Sequence, residues 1–271
     1  MIAMARPRAE RPRLDVRLVE MGLAESREKA QALIMAGRVQ VDGRPAAKAG
    51  APLGADARVE LLPGPEHVGR GAVKLAGALD AFGLSPRGRI TVDVGASTGG
   101  FTETLLARGA SRVYAVDVGR NQMHEKMRND PRVVTLEGVN ARGLSREHVP
   151  EPCGLATMDV SFISVLKILP ALRSILAADA DAVVLVKPQF EVGRRQVGRG
   201  GIVREPERHR EAVAAVAGAA QSELGYVVRA ACASPITGTE GNREFFLHLR
   251  LSPAPTPDDV LAAMIDAAVA P

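Results

Sequence analysis

The stretch that decides the fold runs from Thr91 to Phe101 and reads TVDVGASTGGF. Its first residues are typical of a buried strand, and the glycines that follow open a helix. In open α/β sheets this strand–loop–helix arrangement is where a nucleotide-like ligand binds, because glycine lets the backbone approach the ligand closely. The stretch therefore predicts a ligand-binding loop at 95–99.

On both sides of this loop, strands and helices alternate through residues 66–271, which predicts a doubly wound, mostly parallel α/β sheet of the Rossmann-like kind. Strands are predicted at 90–94, 112–116, 133–136, 155–158, 182–186, 226–232 and 243–249. Helices are predicted at 71–82, 100–108, 120–129, 163–177 and 207–224, with a short final helix at 258–268.

The N-terminal part has a different pattern. Residues 13–62 predict two amphipathic helices followed by short strands, with a tight hairpin at Asp42–Gly43. The run Pro63-Gly64-Pro65 then interrupts any regular structure. We therefore predict a small α+β domain at 1–62, a linker at 63–69 and the sheet domain at 70–271.

Charge is distributed unevenly between these parts. The chain has 271 residues and a formal net charge of +4. Residues 1–50, within the first domain, hold ten basic and six acidic side chains, so their net charge equals that of the whole chain and the remaining 221 residues are neutral overall. This indicates a polyanion partner for that domain, although a solvated arginine excess is the open alternative. The candidate RNA-binding residues are Arg13, Arg17, Arg27, Lys29, Arg38 and Arg44.

Composition excludes several classes of protein. Aromatic residues are only 3% of the chain, which argues against base stacking as the main means of binding. No apolar run is long enough to span a bilayer, and the N-terminus does not resemble a secretory signal. Cys153 and Cys232 are predicted to be buried thiols and not part of a disulfide or metal site. We expect a soluble, cytoplasmic protein without a metal.

Two carboxylates bear on the ligand of the loop. Asp93 precedes the first glycine of a GASTGG sequence that departs from the dinucleotide pattern, and Asp117 ends the next predicted strand, where it can bind ribose hydroxyls. A carboxylate beside the loop repels a pyrophosphate but suits a cationic sulfonium, so S-adenosylmethionine is favoured over NAD. The candidate cofactor-binding residues are Asp93, Gly95, Ala96, Ser97, Thr98, Gly99 and Asp117.

Four further charged residues lie near predicted strand ends. The chain has only six lysines. Lys187 follows one predicted strand and Asp159 follows the strand before it in the chain. Lys74 lies on the leading helix, and Glu244 begins the final strand. Asp159 and Lys187 both end strands, so they are expected to face each other over the methyl group of the cofactor at the ligand edge. Each of the four alone is more commonly a surface charge, but because lysine is so rare in this chain, together they predict one compact cluster.

These residues carry a resemblance. The N-terminal pattern, with RLD at 13–15 and VDG at 41–43, closely resembles the S4 RNA-binding domain. With the segments GAVKL, MDVSF, VKPQFE and GNREFF around Lys74, Asp159, Lys187 and Glu244, the chain resembles the TlyA (hemolysin A) family. That resemblance implies an FtsJ-like methyltransferase sheet with an antiparallel last strand, and it places the catalytic tetrad on these four residues.

The resemblance also implies a reaction, which is methyl transfer from S-adenosylmethionine to a cytidine 2′-hydroxyl of 16S or 23S ribosomal RNA. Lys187 is then expected to meet the 2′-oxygen, either as a base or as a cation that stabilises developing negative charge. Arg194 and Arg195, in a glycine-rich loop after Lys187, are expected to clamp phosphates, with an ordinary solvated loop as the alternative. Gly69 stands where the family pattern suggests serine.

Two other functions are weighed against this one. A non-catalytic S4-type factor that binds or assembles the ribosome is the main alternative. Membrane lysis, which the hemolysin name suggests, needs an apolar span or a basic amphipathic face with aromatic anchors, and the sequence shows neither.

Overall fold

The computed structural model describes residues 12–35, 38–46, 48–54, 57–62, 67–193, 197–251 and 254–270. The chain divides into two compact units at position 66/67. Each unit has its own hydrophobic core.

The first unit is a small α+β domain. Its elements are α1 (Leu14–Glu20), α2 (Arg27–Met35), β1 (Val39–Val41), β2 (Arg44–Pro45) and β3 (Val59–Leu61). The strands form an antiparallel sheet in the order β2-β1-β3. Asp42 and Gly43 connect β1 to β2 with φ angles of 52° and 74°, the left-handed pair that a two-residue hairpin requires. The predicted hairpin is confirmed.

A buried carboxylate organises the helices of this unit. Asp15 is fully buried and accepts hydrogen bonds from the side chains of Arg13, Arg27 and Gln31 at 3.0–3.1 Å. Arg27 and Gln31 lie on α2 and Arg13 is the residue before α1, so Asp15, which lies on α1, joins the two helices. Hydrogen bonds from Arg13 and the other donors hold the pKa of Asp15 well below its usual range.

The second unit contains a seven-stranded sheet. Its strands are β4 (Ile90–Val94), β5 (Arg112–Asp117), β6 (Val133–Glu137), β7 (Cys153–Met158), β8 (Leu176–Val186), β9 (Tyr226–Ala233) and β10 (Phe245–Leu251). Their order is β6-β5-β4-β7-β8-β10-β9, and every pair is parallel except the two that involve β10. This is the predicted doubly wound sheet with an antiparallel last strand.

Helices cover both faces of the sheet. They are α3 (Gly71–Phe82), α4 (Gly100–Ala107), α5 (Glu125–Arg128), α6 (Leu169–Ile175), α7 (Pro188–Glu191), α8 (Pro206–Ser222) and α9 (Asp258–Val269). Alternate residues of β8 show the two layers, because Val184 packs with α6, α8 and α9 while Val183 packs with α3 and α4.

Two predicted helices are shorter than expected. The helix predicted at 120–129 is limited to α5, because the carboxylate of Glu137 accepts the backbone N–H groups of Asn121 and Gln122 and holds that segment as a loop. The helix predicted at 163–177 consists of a 3-10 turn at Val165–Lys167 and α6, and its last residues belong to β8.

The ends of two strands also differ from prediction. β8 begins at Leu176 and not at 182, and β10 begins at Phe245 and not at 243, so Glu244 lies just before the strand. Both cysteines are free, and burial raises the pKa of the Cys153 thiol to about 12 and that of Cys232 to about 11. Within the described ranges, no helix has the length and apolar character needed to cross a membrane.

The Asp15 network gives a test of the first unit. Asp15→Asn removes the charge that Arg13 and Arg27 surround, so we expect the free energy of unfolding of this unit to fall by roughly 1–3 kcal/mol at pH 7. Because the folded-state pKa is depressed, the stabilisation by Asp15 is present above the unfolded pKa and is lost as pH falls. The difference between wild type and variant should therefore shrink below about pH 4. Amide exchange in α1 measures it, and Glu20→Gln, an exposed carboxylate of α1, is the control.

Candidate active site

A cavity of about 580 Å³ opens at the edge of the sheet where the parallel strands end. The antiparallel direction of β10 explains how a residue at its start can reach this edge. Phe245 pairs with Val186, so the preceding residue, Glu244, lies across from Lys187. Val94 pairs with Met158 in the parallel direction, which brings Gly95 beside Asp159.

The four charged residues predicted to cluster all line this cavity. They form two ion pairs, with Lys74 Nζ 2.5 Å from Glu244 Oε2 and Lys187 Nζ 2.6 Å from Asp159 Oδ1. Both lysines and Glu244 are buried. Removing one partner would leave a buried charge uncompensated, so each pair holds its two side chains in place. Lys187 also donates a hydrogen bond to Ser161 Oγ at 2.9 Å.

A second cavity, of about 460 Å³, adjoins the first. The two share lining residues, among them Gly95, Ser97 and Asp159. Gly95 has a φ of +85°, and an added Cβ would lie 2.1 Å from the carbonyl oxygen of Asp159. Only glycine fits here, and its missing side chain keeps β4 and β7 close where the cavities meet.

Asp117 lines the second cavity at the end of β5. Its carboxylate accepts the backbone N–H of Ser97 at 2.8 Å and that of Gly119 at 2.7 Å. These bonds fix the carboxylate against the glycine loop. A carboxylate has about four acceptor positions, so Asp117 keeps capacity for two further donors such as the hydroxyls of a ribose.

The other predicted loop residues take different positions. Gly95 and Ser97 line both cavities, and Ala96 and Thr98 line the first. Gly99 is in neither lining. It precedes α4 with a φ of +97°, where an added Cβ would lie 2.7 Å from Met123 Sδ.

Asp93 is the clearest correction to the sequence prediction. Its side chain is fully buried and accepts hydrogen bonds from Thr102 Oγ1 at 2.7 Å and Thr157 Oγ1 at 3.1 Å. It therefore lies behind the loop, between α4 and β7, and does not face the cavity as a counter-charge. Burial raises the pKa of Asp93 to about 7, although the two threonine hydrogen bonds oppose the shift.

Sequence reasoning missed an aromatic pair at the cavity. Phe162 lines both cavities, is 90% exposed and has a φ of +65°, a strained conformation for a bulky residue. Its ring centroid lies 5.2 Å from that of Phe190. The low aromatic content argued against such a feature. It was a poor guide, because composition does not tell where the few aromatic residues lie.

Glu191 was also missed. It accepts the backbone N–H of Val165 at 2.9 Å, and burial raises its pKa. The contact ties α7, which directly follows Lys187, to the 3-10 turn at Val165–Lys167, which follows the segment of Asp159 and Ser161.

The candidate RNA-binding residues of the first unit are partly engaged within the protein. Arg13 and Arg27 surround Asp15 but keep about half of their side chains exposed. Arg17 pairs with Glu20, and Arg38 donates to the carbonyl of Leu62. Lys29 and Arg44 are exposed. Arg194 and Arg195 lie outside the described residues.

Comparison with known proteins identifies the family. A model of the FtsJ-like methyltransferase family matches residues 67–251, and a model of the S4 domain matches residues 12–59. The chain belongs to the FtsJ-like methyltransferase family. It is therefore an enzyme, which favours catalysis over a purely RNA-binding role, and the methyl donor that this family implies is S-adenosylmethionine.

Relatives extend the likeness over both units. The "16S/23S rRNA (cytidine-2'-O)-methyltransferase TlyA" of Mycobacterium tuberculosis is 50% identical, over 89% of this chain and 91% of the relative. "Hemolysin A" of Brachyspira hyodysenteriae is 39% identical, over 87% of this chain and 98% of the relative. A solved structure from Streptococcus thermophilus that carries a hemolysin name is 40% identical, covers 94% of each chain and has a TM-score of 0.71. The predicted resemblance to the TlyA family is confirmed.

The position of Asp93 in this methyltransferase gives a pH test. Between about pH 4 and 7 the folded protein keeps a proton on Asp93 that the unfolded chain has released, so stability falls as pH rises. Asp93→Asn lacks this proton equilibrium. We therefore expect the free energy of unfolding of the variant to rise relative to that of wild type by up to about 1.4 kcal/mol per pH unit across that window.

Urea denaturation of the second unit at pH 5, 6, 7 and 8 measures the difference. Asp80→Asn, which removes an exposed carboxylate paired with Arg108, should show no such trend over this range. A constant difference between wild type and Asp93→Asn at all four pH values would contradict the assignment.

Proposed function

We propose that this protein transfers a methyl group from S-adenosylmethionine to a 2′-hydroxyl of ribosomal RNA, at a cytidine. The observation that carries the proposal is the pair of adjoining cavities, one lined by Asp117 and the other by two lysine–carboxylate pairs. The name of the mycobacterial relative supports cytidine and both ribosomal subunits as the substrate class.

The second cavity fits the nucleoside part of the cofactor. Asp117 offers free acceptor positions to the ribose, and Asn140 supplies an amide beside it. Apolar side chains of Val118, Ile163 and Ile168 line the same cavity and suit the faces of an adenine ring. When bound, S-adenosylmethionine supplies a methyl group on a positively charged sulfur. Gly95, shared by both cavities, would leave room for that group between the nucleoside and the lysines.

The residues of the first cavity suit a ribose hydroxyl. Lys187, oriented by Asp159 and Ser161, would meet the 2′-oxygen and either accept its proton or stabilise its developing negative charge. Lys74 and Glu244 form the opposite pair and would orient the sugar. Enclosure of these charges strengthens their electrostatic effect on the oxygen.

The RNA itself would be held by features of both units. Arginines such as Arg13 and Arg27, half exposed and fixed by Asp15, offer planar groups to phosphates of structured RNA. For a 2′-hydroxyl to enter the cavity, its nucleotide must leave the base stack, and Phe162 offers an exposed ring on which the base can stack.

The proposal is tested by transfer of tritium from labelled S-adenosylmethionine to unmodified ribosomal subunits, followed by mapping of the methylated nucleotide. Lys187→Ala should abolish transfer, because no group then meets the 2′-oxygen, while S-adenosylmethionine still raises the melting temperature. Lys167→Ala, which changes an exposed lysine in the turn before α6, is the matched control and should behave as wild type.

Lys187→Arg separates the two roles of the lysine. Arginine keeps the positive charge but does not accept a proton, so residual activity would favour charge stabilisation and complete loss would favour a base. Wild-type turnover in Lys187→Ala would contradict the assignment of Lys187. A lack of transfer by wild-type protein to either subunit would contradict the proposed function.

Phe162 is tested by a series of substitutions. Stacking of a base on an aromatic ring contributes about 1–3 kcal/mol, so Phe162→Ala should lower kcat/KM for RNA by roughly 5- to 150-fold. Phe162→Tyr keeps a ring and should retain most activity, whereas Phe162→Leu keeps apolar volume without one. All three share the backbone strain at this position. Equal activity of the Leu and Tyr variants would rule out stacking, and Val260→Ala, an exposed apolar residue on α9, is the control.

A further inference from the structure

We propose that Asn242 is a positioning residue, which fastens a glycine-rich turn at 198–203 to the segment that carries Glu244. Asn242 is 1% exposed and lines the first cavity together with residues of that turn. Its effect on catalysis rests on the proposed function, whereas its effect on the turn does not.

The turn itself is compact and rich in glycine. Gly198 donates its N–H to the carbonyl of Ile202, and Gly201 donates to the carbonyl of Gly198, both at 3.1 Å. Gly200 and Gly201 each have a φ of +77°, which other residues rarely adopt. Gly200 and Gly201 also line the cavity, so the position of this backbone shapes the wall that a substrate would meet.

Both polar ends of the Asn242 amide bind this turn. Oδ1 accepts the backbone N–H of Val203 at 3.0 Å, and Nδ2 donates to the carbonyl of Gly201 at 3.0 Å. A buried amide that makes both bonds to one turn fixes its place and its orientation. Glycine offers no side chain for packing, so hydrogen bonds matter more here than in an ordinary loop.

A histidine supports the same turn from α8. His209 is buried, and its Nε2 lies 2.9 Å from the carbonyl oxygen of Val203. A carbonyl only accepts hydrogen bonds, so Nε2 is the donor. Val203 is thus held at its N–H by Asn242 and at its carbonyl by His209.

The backbone of Asn242 contacts a loop that packs against the Lys74–Glu244 pair. The backbone carbonyl of Asn242 accepts the N–H of Gly238 at 2.8 Å, which closes the loop before β10. An added Cβ at Gly238 would lie 2.6 Å from Glu244 Oε1, so this loop also packs against the carboxylate that pairs with Lys74. One amide therefore connects the cavity wall to the Lys74–Glu244 pair.

The turn is tested first by amide exchange. Asn242→Ala should speed hydrogen–deuterium exchange at least tenfold in the peptide that contains Val203. Asn242→Asp keeps the oxygen that accepts this N–H, so the Val203 amide should stay protected. The same change places a second oxygen against the carbonyl of Gly201, so that hydrogen bond is lost.

Catalysis is tested by steady-state methylation of ribosomal subunits with the same variants. We expect kcat to fall at least tenfold in Asn242→Ala and in Asn242→Asp, because both lose the bond to Gly201 that sets the cavity wall. Affinity for S-adenosylmethionine should stay within twofold of wild type, since Asn242 does not line the second cavity.

Gln221 provides a matched control. Its amide likewise binds one residue's backbone at both ends, with Nε2 donating to the carbonyl of Thr256 and Oε1 accepting its N–H. Oε1 also accepts the N–H of Val228, and Gln221 lines neither cavity. Gln221→Ala should lower the melting temperature as Asn242→Ala does, with kcat unchanged.

Unchanged exchange at Val203 in Asn242→Ala, or equal kcat in the two alanine variants, would overturn the proposal. If wild-type protein methylates neither subunit, the proposed function fails, and the exchange result alone decides whether Asn242 fastens the turn.

Discussion

The site depends on one pairing in the sheet, that of β10 against β8 in the antiparallel direction. Parallel strands place only their C-terminal ends at the ligand edge. The reversed strand adds an N-terminal end at that edge, and the register of Phe245 with Val186 sets Glu244 beside Lys187. A slip of one residue would turn Glu244 toward the other face of the sheet and separate it from Lys74.

Charge in a low-dielectric setting explains how the cluster is held. Lys74 and Lys187 are both buried, and each has a carboxylate within ion-pair distance. Two isolated lysines at this depth would be strongly disfavoured, so the pairs are a condition for keeping both cations in one cavity. Asp93 shows the opposite case. It has no cationic partner among its described contacts, so burial disfavours its charged form and raises its pKa.

The first unit uses charge in a different way. Arginines that give this unit its positive excess also surround the fully buried Asp15, so two of them have a structural and an electrostatic role at once. Partial exposure makes this possible, because a guanidinium has five donors and Asp15 uses only some of them. A count of basic residues in the sequence does not separate these two roles.

The sequence by itself determined the two-part organisation, the doubly wound sheet, the glycine loop at 95–99 and the four charged residues that meet in the cavity. The first three follow from periodicity and turn residues, which are local properties of the chain. The four charged residues follow from their motifs, while the antiparallel strand that brings Glu244 to the cavity was implied by the family resemblance. Only the tertiary structure decided that Asp93 lies behind the loop, that Phe162 is exposed at the cavity, and that Asn242 holds a turn 39 residues away. Side-chain direction and long-range hydrogen bonds depend on how elements pack, and no local pattern encodes that packing.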